Sequence, residues 1–141
     1  MRTRRFNDGE GIMISLDDWR SRGDHRELGG HRLFCVDSGG DSGDALLLIH
    51  GFPTASWDFA PIWPTLTATG RVVAPDLLGF GFSDKPARHD YTIVEQASLL
   101  DQLLDQLGIE RAAILAHDYG DSVALELLAR HNEGSLGFEI T

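Results

Sequence analysis

Three short apolar runs punctuate the chain at 45–49, 71–74 and 112–116, built on Ala45-Leu46-Leu47-Leu48-Ile49, Arg71-Val72-Val73-Ala74 and Ala112-Ala113-Ile114-Leu115-Ala116. None alternates with polar residues, so each reads as a strand buried on both faces of a sheet. Between the second and third runs the period changes to that of a helix. Thr92 and Glu95 are spaced as a capping box, and Gly108 marks the far end. Ile93, Ala97, Leu100, Leu104 and Leu107 then share one face, with Asp101, Gln102 and Asp105 facing out. A further helix is predicted from about Gly120 to Arg130, with Val123, Ala124, Leu127 and Leu128 inward. Upstream, Trp19 to Val36 reads as two strands joined at Gly29-Gly30, and 136–140 as the opening of one more strand. Buried strands alternating with amphipathic helices predict an α/β fold with a mostly parallel sheet and flanking helices. No repeat or linker divides the chain. The expected organisation is a disordered tail over 1–12 and one domain over 13–141.

Composition narrows the partners. The 141 residues carry 12 basic and 22 acidic side chains, a net charge of −10, which disfavours nucleic acid and anionic membranes. Arg2, Arg4 and Arg5 are too few to form a binding arm. No apolar stretch has the length of a leader or a membrane span, and the single cysteine, Cys35, sits in the apolar run Leu33–Val36. A cytoplasmic setting and a buried, unreactive thiol are the expectations. The aspartates of 37–44 fail an EF-hand frame, since its third and twelfth positions are Gly39 and Leu48. Gly79-Phe80-Gly81 lacks the third glycine of a dinucleotide loop. No His/Cys/Asp group has the spacing of metal ligands. Neither cofactor nor metal is expected.

The candidate chemistry lies in Ile114–Ser122. A buried strand passes at once into a helix, with Asp118 at the turn, Ala116 two residues before it and Gly120 two after. This is the pattern of a nucleophile elbow, in which a sharp turn raises a reactive side chain above the sheet edge. An aspartate at a helix start is also the ordinary pattern of an N-cap. A second element favours the catalytic reading. His50-Gly51-Phe52-Pro53 follows directly on the strand 45–49, where this architecture places half of an oxyanion hole. The backbone N–H groups of Phe52 and Tyr119 are the predicted donors, and His50 is predicted to brace the loop. His117 precedes the turn and is expected to point away from the pocket.

The segments HGFPTASWDF (50–59), PDLLGFGFSDKP (75–86) and AHDYGDS (116–122) together resemble the epoxide-hydrolase and haloalkane-dehalogenase branch of the α/β-hydrolases. Their wording and spacing are closest to its mesoderm-specific-transcript-like subgroup. The resemblance runs from about residue 19 to 141 and implies a sheet whose second strand is antiparallel, with Asp118 in the nucleophile position. It also implies a small-molecule substrate, an epoxide or alkyl halide. Dehalogenases of this branch place Trp after the nucleophile and a polar residue after His-Gly; Tyr119 and Phe52 stand there, which favours the epoxide. Ala116 and Asp121 depart from the glycines usual at their positions.

The resemblance further implies that the acid partner, the general-base histidine and a cap domain come from later strands, so the chain is expected to be the N-terminal half of such a fold. His131 cannot substitute, lying about 18 Å along the helix from Asp118. His25 and His31 belong to the early strands, and nothing around His89 marks it as a base. Expressed alone, the chain is expected to be poorly soluble and to self-associate through the open edge of strand 112–116. Two classes of function stay open: a hydrolase with an aspartate nucleophile, or a non-catalytic remnant or interaction module.

Overall fold

Polar turns and unbroken apolar runs divide the chain as the pattern predicts, and the computed structural model, which describes residues 13–141, shows how those pieces stack. The expected disordered tail lies outside the described residues. Helix α1 (Leu16–Ser21) precedes strands β1 (Gly23–Leu28), β2 (His31–Asp37) and β3 (Asp44–Ile49). A 3₁₀ turn (Ser56–Phe59), α2 (Trp63–Thr67), β4 (Val72–Pro75), α3 (Ile93–Gln106), β5 (Arg111–Ala116), α4 (Tyr119–Glu133) and β6 (Glu139–Ile140) follow. The six strands form one sheet in the order β1-β2-β4-β3-β5-β6. Strand β2 runs antiparallel to both its neighbours, while β3, β4, β5 and β6 are parallel. The antiparallel second strand implied by the resemblance is therefore present.

Side-chain alternation assigns the two layers. Leu33, Cys35, Leu47, Ile49 and Val73 point to the side covered by α3 and α4, meeting Leu100, Leu103, Leu104, Val123 and Leu127. Their neighbours Phe34, Val36, Leu48, Val72 and Ala74 point to the opposite side, against Trp19, Phe59 and Trp63. Both faces of β3 and β4 are thus covered, and this is why those strands carry no polar alternation, whereas β5, read from sequence as equally buried, leaves Leu115 40% exposed. Cys35 is a free, buried thiol, and its burial pushes its pKa up, away from reactivity.

Three expectations are corrected. The two strands joined at Gly29-Gly30 are present, but the first begins at Gly23 and not at Trp19: Ser15 caps α1 by accepting from the Asp18 N–H, Asp17 and Asp18 fill the first turn, and Trp19 is buried in that helix. Its indole N–H donates to Ser56 Oγ at 3.0 Å. The capping box at α3 is only half formed. Thr92 accepts from the Glu95 N–H at 3.1 Å, but the Glu95 carboxylate turns to His89 instead. Leu128 is 41% exposed rather than inward, because no strand beyond β6 covers that face among the described residues.

The same face marks the sheet's far edge. Strand β6 pairs with β5 only at Arg111 and Ala112, so Ala113 to Ala116 have β3 alone as a partner among the described residues. The loop between β2 and β3 is held by its end residues: Arg71 makes a two-pronged pair with Asp37, at 2.7 and 3.1 Å, and Arg111 pairs with Asp44.

Candidate active site

Strand β5 ends at Ala116 and α4 begins at Tyr119, which leaves two residues to reverse the chain. Asp118 takes up the reversal with φ 55° and ψ −124°. It is the one non-glycine with positive φ among the described residues, a conformation costing on the order of 1–3 kcal/mol. Two close approaches hold it there. A β-carbon on Gly120 would run into the carbonyl oxygens of Ile49 and His50, and one on Gly51 would stand 2.7 Å from the β-carbon of Asp118. The N–H groups of Gly120 and Asp121 donate back to His117 O and Asp118 O at 3.0 and 2.9 Å.

Although Asp118 occupies the N-cap position of α4, its side chain makes no capping bond. Its Oδ1 instead accepts from the N–H of Phe52 at 2.8 Å, across the gap between the ends of β3 and β5. The hydrogen bond from Phe52, with a further contribution from the Tyr119 amide, holds the carboxyl below the usual carboxylate range. The group is solvent-exposed. The structure thus brings together Asp118, Gly51, Phe52, Tyr119 and Gly120, all singled out from sequence.

His50 lies beneath them and is fully buried. Its Nε2 accepts from the Leu77 N–H at 2.9 Å, so Nδ1 carries the proton and donates to Gly51 O at 2.8 Å. The imidazole ties the loop after β3 to the loop after β4. Burial holds its pKa below the ordinary value of 6.5, and a second proton on Nε2 would face the Leu77 N–H donor to donor. As the pH falls below about 6.5, the unfolded chain binds a proton that the folded one refuses, and stability drops with pH. His50→Ala is expected to cost about 2–4 kcal/mol and to flatten that acid-side slope; thermal melts across the weakly acidic range check both.

Phe80 is a contributor that the spacing argument missed. Its ring lies 5.3 Å from His50, 6.1 Å from Phe52 and 6.0 Å from Tyr119, centroid to centroid. It stands in the quoted segment 75–86, but a phenylalanine in a Gly-rich loop carries no signal of its own. The loop is fixed by Asp76, buried, whose carboxylate accepts from the N–H groups of Ser56 and Phe82, each at 2.8 Å. His117 makes no hydrogen bond to Asp118. It sits 3.7 Å from Asp58 and packs on Phe59.

Among the described residues, no histidine is hydrogen-bonded to Asp118. His25 contacts Phe82 O, His31 and His89 lie beside Glu95, and His131 accepts from the Ile140 N–H at the far end of α4. No group of three metal-ligating side chains includes Asp118; the one such group among the described residues is His31, His89 and Glu95.

Comparison with known proteins identifies the fold. The family described as "alpha/beta hydrolase fold" matches residues 44–135, from the start of β3 through α4. The chain belongs to the α/β-hydrolase fold family. The mesoderm-specific transcript homolog protein of Bos taurus is 48% identical over 128 residues, covering 87% of this chain and 38% of that protein. Among solved structures, the epoxide hydrolase CorEH superposes with a TM-score of 0.71 at 30% identity, over 81% of this chain and 38% of that one. A haloalkane dehalogenase from Agrobacterium tumefaciens, DatA, gives 0.66 at 27% identity over the same 81% and 38%. This α/β-hydrolase chain therefore spans less than half the length of the relatives it matches. No helix among its described residues is long and apolar enough to cross a membrane.

Proposed function

We propose that this α/β-hydrolase chain carries the nucleophile of an epoxide-opening enzyme, with Asp118 attacking carbon to form an alkyl-enzyme ester. The observation that carries the reading is the side chain of Asp118: strained into place at a helix start, it declines the capping role and presents its carboxylate to the Phe52 N–H at 2.8 Å. A carboxylate ionised at neutral pH needs no base to attack a saturated carbon.

The division between its two oxygens supports the sequence of steps. Oδ1 is occupied by the Phe52 amide, which leaves Oδ2 for attack. A bond forms from Oδ2 to an epoxide carbon, the ring C–O bond breaks, and the released alkoxide takes a proton from solvent or an acid. Oδ1 is then the carbonyl oxygen of the ester, already facing the amide that would stabilise it as an oxyanion when water attacks the ester carbon. That second step calls for a histidine base within about 3 Å, directly or through one water; it belongs to the activity of the complete enzyme, as do the acid partner and the cap of the resemblance. Phe52, 67% exposed, and Tyr119 offer no indole or amide side chain to a leaving halide, which favours an epoxide over an alkyl halide. The substrate is a small molecule, and the setting we infer is cytoplasmic.

Incubation with a small terminal epoxide, followed by intact and tandem mass spectrometry, tests the reading. One added equivalent of epoxide mass, located on Asp118 and persisting, is the expected result. A folded sample without adduct would favour the non-catalytic alternative. Because the amides hold the carboxyl below its ordinary value of 3.8, the rate of adduct formation is not expected to fall between neutrality and about pH 5. A decline with a midpoint near pH 6 would mean a raised carboxyl pKa and contradict the role given to the Phe52 amide.

A further inference from the structure

We infer that His31, His89 and Glu95 form a binding site for a divalent transition-metal ion of the zinc class. The three arrive from separate elements: His31 opens β2, His89 lies in the loop before α3, and Glu95 sits in the first turn of α3. One ligand atom from each lies within 4.8 Å of the other two. His89 Nε2 is 2.6 Å from one carboxylate oxygen of Glu95, and His31 Nε2 is 4.0 Å from the other. The two imidazole rings stand nearly perpendicular, with centroids 5.1 Å apart.

Three features make this more than an ion pair. The Glu95 carboxylate has forgone the Thr92 end of its capping box, so it is held toward the imidazoles at the expense of a cap. The side chains of His31 and His89 are each only 21% exposed and that of Glu95 29%, which fixes them while leaving an entry path. Two imidazoles and a carboxylate are also the donor set that suits zinc, at about 2.0–2.2 Å from each ligand atom. Ligand atoms around a tetrahedral ion at that range stand about 3.3 Å apart. The two imidazoles approach different oxygens of Glu95, at 2.6 and 4.0 Å, and with one ligand atom from each residue within 4.8 Å of the others rotation of the side-chain tips would draw the three donors around the ion, with water completing its shell.

The site shares no residue with the Asp118 cluster. An ion there would staple the β1–β2 hairpin and the loop before α3 onto the helix N-terminus, and it would act on stability rather than on the hydrolytic step.

Tag-free, chelator-treated chain titrated with Zn²⁺ by calorimetry, and with Co²⁺ by visible absorption, tests the assignment. The expected result is one saturable equivalent, a Co²⁺ spectrum of a low-coordinate nitrogen–oxygen site, and a Zn²⁺-dependent rise in Tm. His31→Ala and His89→Ala are each expected to weaken binding by at least about 100-fold, beyond the 10–100-fold typical for losing an outer-shell partner. His131→Ala should bind as the parent does. Glu95→Gln, which keeps the helix cap and the side-chain shape, separates ligand loss from misfolding and should weaken binding as well. Absence of saturable binding, or binding unchanged in His31→Ala and His89→Ala, would overturn the proposal.

Discussion

Asp118→Asn is expected to lower the rate of ester formation with an epoxide by about ten-thousand-fold or more, the scale on which removal of a covalent nucleophile acts. The amide fills the same space and carries almost no nucleophilicity at neutral pH. Its fold should be unchanged, because the Asp118 side chain makes no capping bond to α4 and its partner, the N–H of Phe52, belongs to an exposed residue that water can satisfy. Asp118→Gly extends the test to the backbone. At φ 55° a glycine escapes the strain an aspartate carries, so this variant should melt higher, by about 1–2 kcal/mol or roughly 4–8 °C for a chain of this size, while forming no ester. A residue that weakens the fold yet supplies the chemistry is the usual signature of a functional site. Labelling of Asp118→Asn at the parent's rate would remove the nucleophile assignment outright, and a Tm for Asp118→Gly below the parent's would remove the strain argument.

The parts legible in the sequence are those where one physical demand dominates. Leu47 to Ile49 and Val72 to Ala74 are apolar throughout because both faces of the central strands are covered, whereas Ala112 to Ala116 keep the same pattern with Leu115 40% exposed. Gly120 follows the turn because the backbone of Ile49 and His50 passes against it, and Gly51 faces the turn because the side chains of Asp118 and His117 do. What was not legible depends on choices between two permitted partners. Ser15 with Asp17 and Asp18 is a helix-start signal, but six residues of α1 carry too little period to compete with the mixed stretch after Trp19. Thr92 and Glu95 have the spacing of a capping box, and only the fold shows that His89 draws the carboxylate away. The His31, His89 and Glu95 group is invisible to ligand-spacing rules since sheet topology, not a motif, brings β2 to the start of α3. Asp118 itself is ambiguous by residue type: N-cap and nucleophile ask for the same side chain at the same place, and they differ only in where its oxygens point.

The site's other large sensitivity is Gly120, and here two effects of opposite sign compete. In an ordinary helix Gly→Ala stabilises by up to about 1 kcal/mol, and Gly120 lies in the first turn of α4. A β-carbon at this position, however, meets the carbonyl oxygens of Ile49 and His50. Those atoms belong to the last residue of the central strand β3 and to the buried imidazole residue beyond it, so neither can swing aside as a surface side chain would. The clash wins. Gly120→Ala is expected to lose about 3 kcal/mol or more, seen as a Tm lowered by roughly 10 °C. The displaced helix start would also carry Asp118 away from the Phe52 N–H, and a misplacement of about 1 Å is enough to slow ester formation by about a hundredfold. Gly134→Ala is the control. That glycine caps the other end of α4 at φ 72° with nothing within 4 Å of an added β-carbon, so only the conformational cost of about 1 kcal/mol applies, with the labelling rate unchanged. Equal losses in the two variants would mean that backbone conformation alone, rather than the approach of β3, sets the geometry at Asp118.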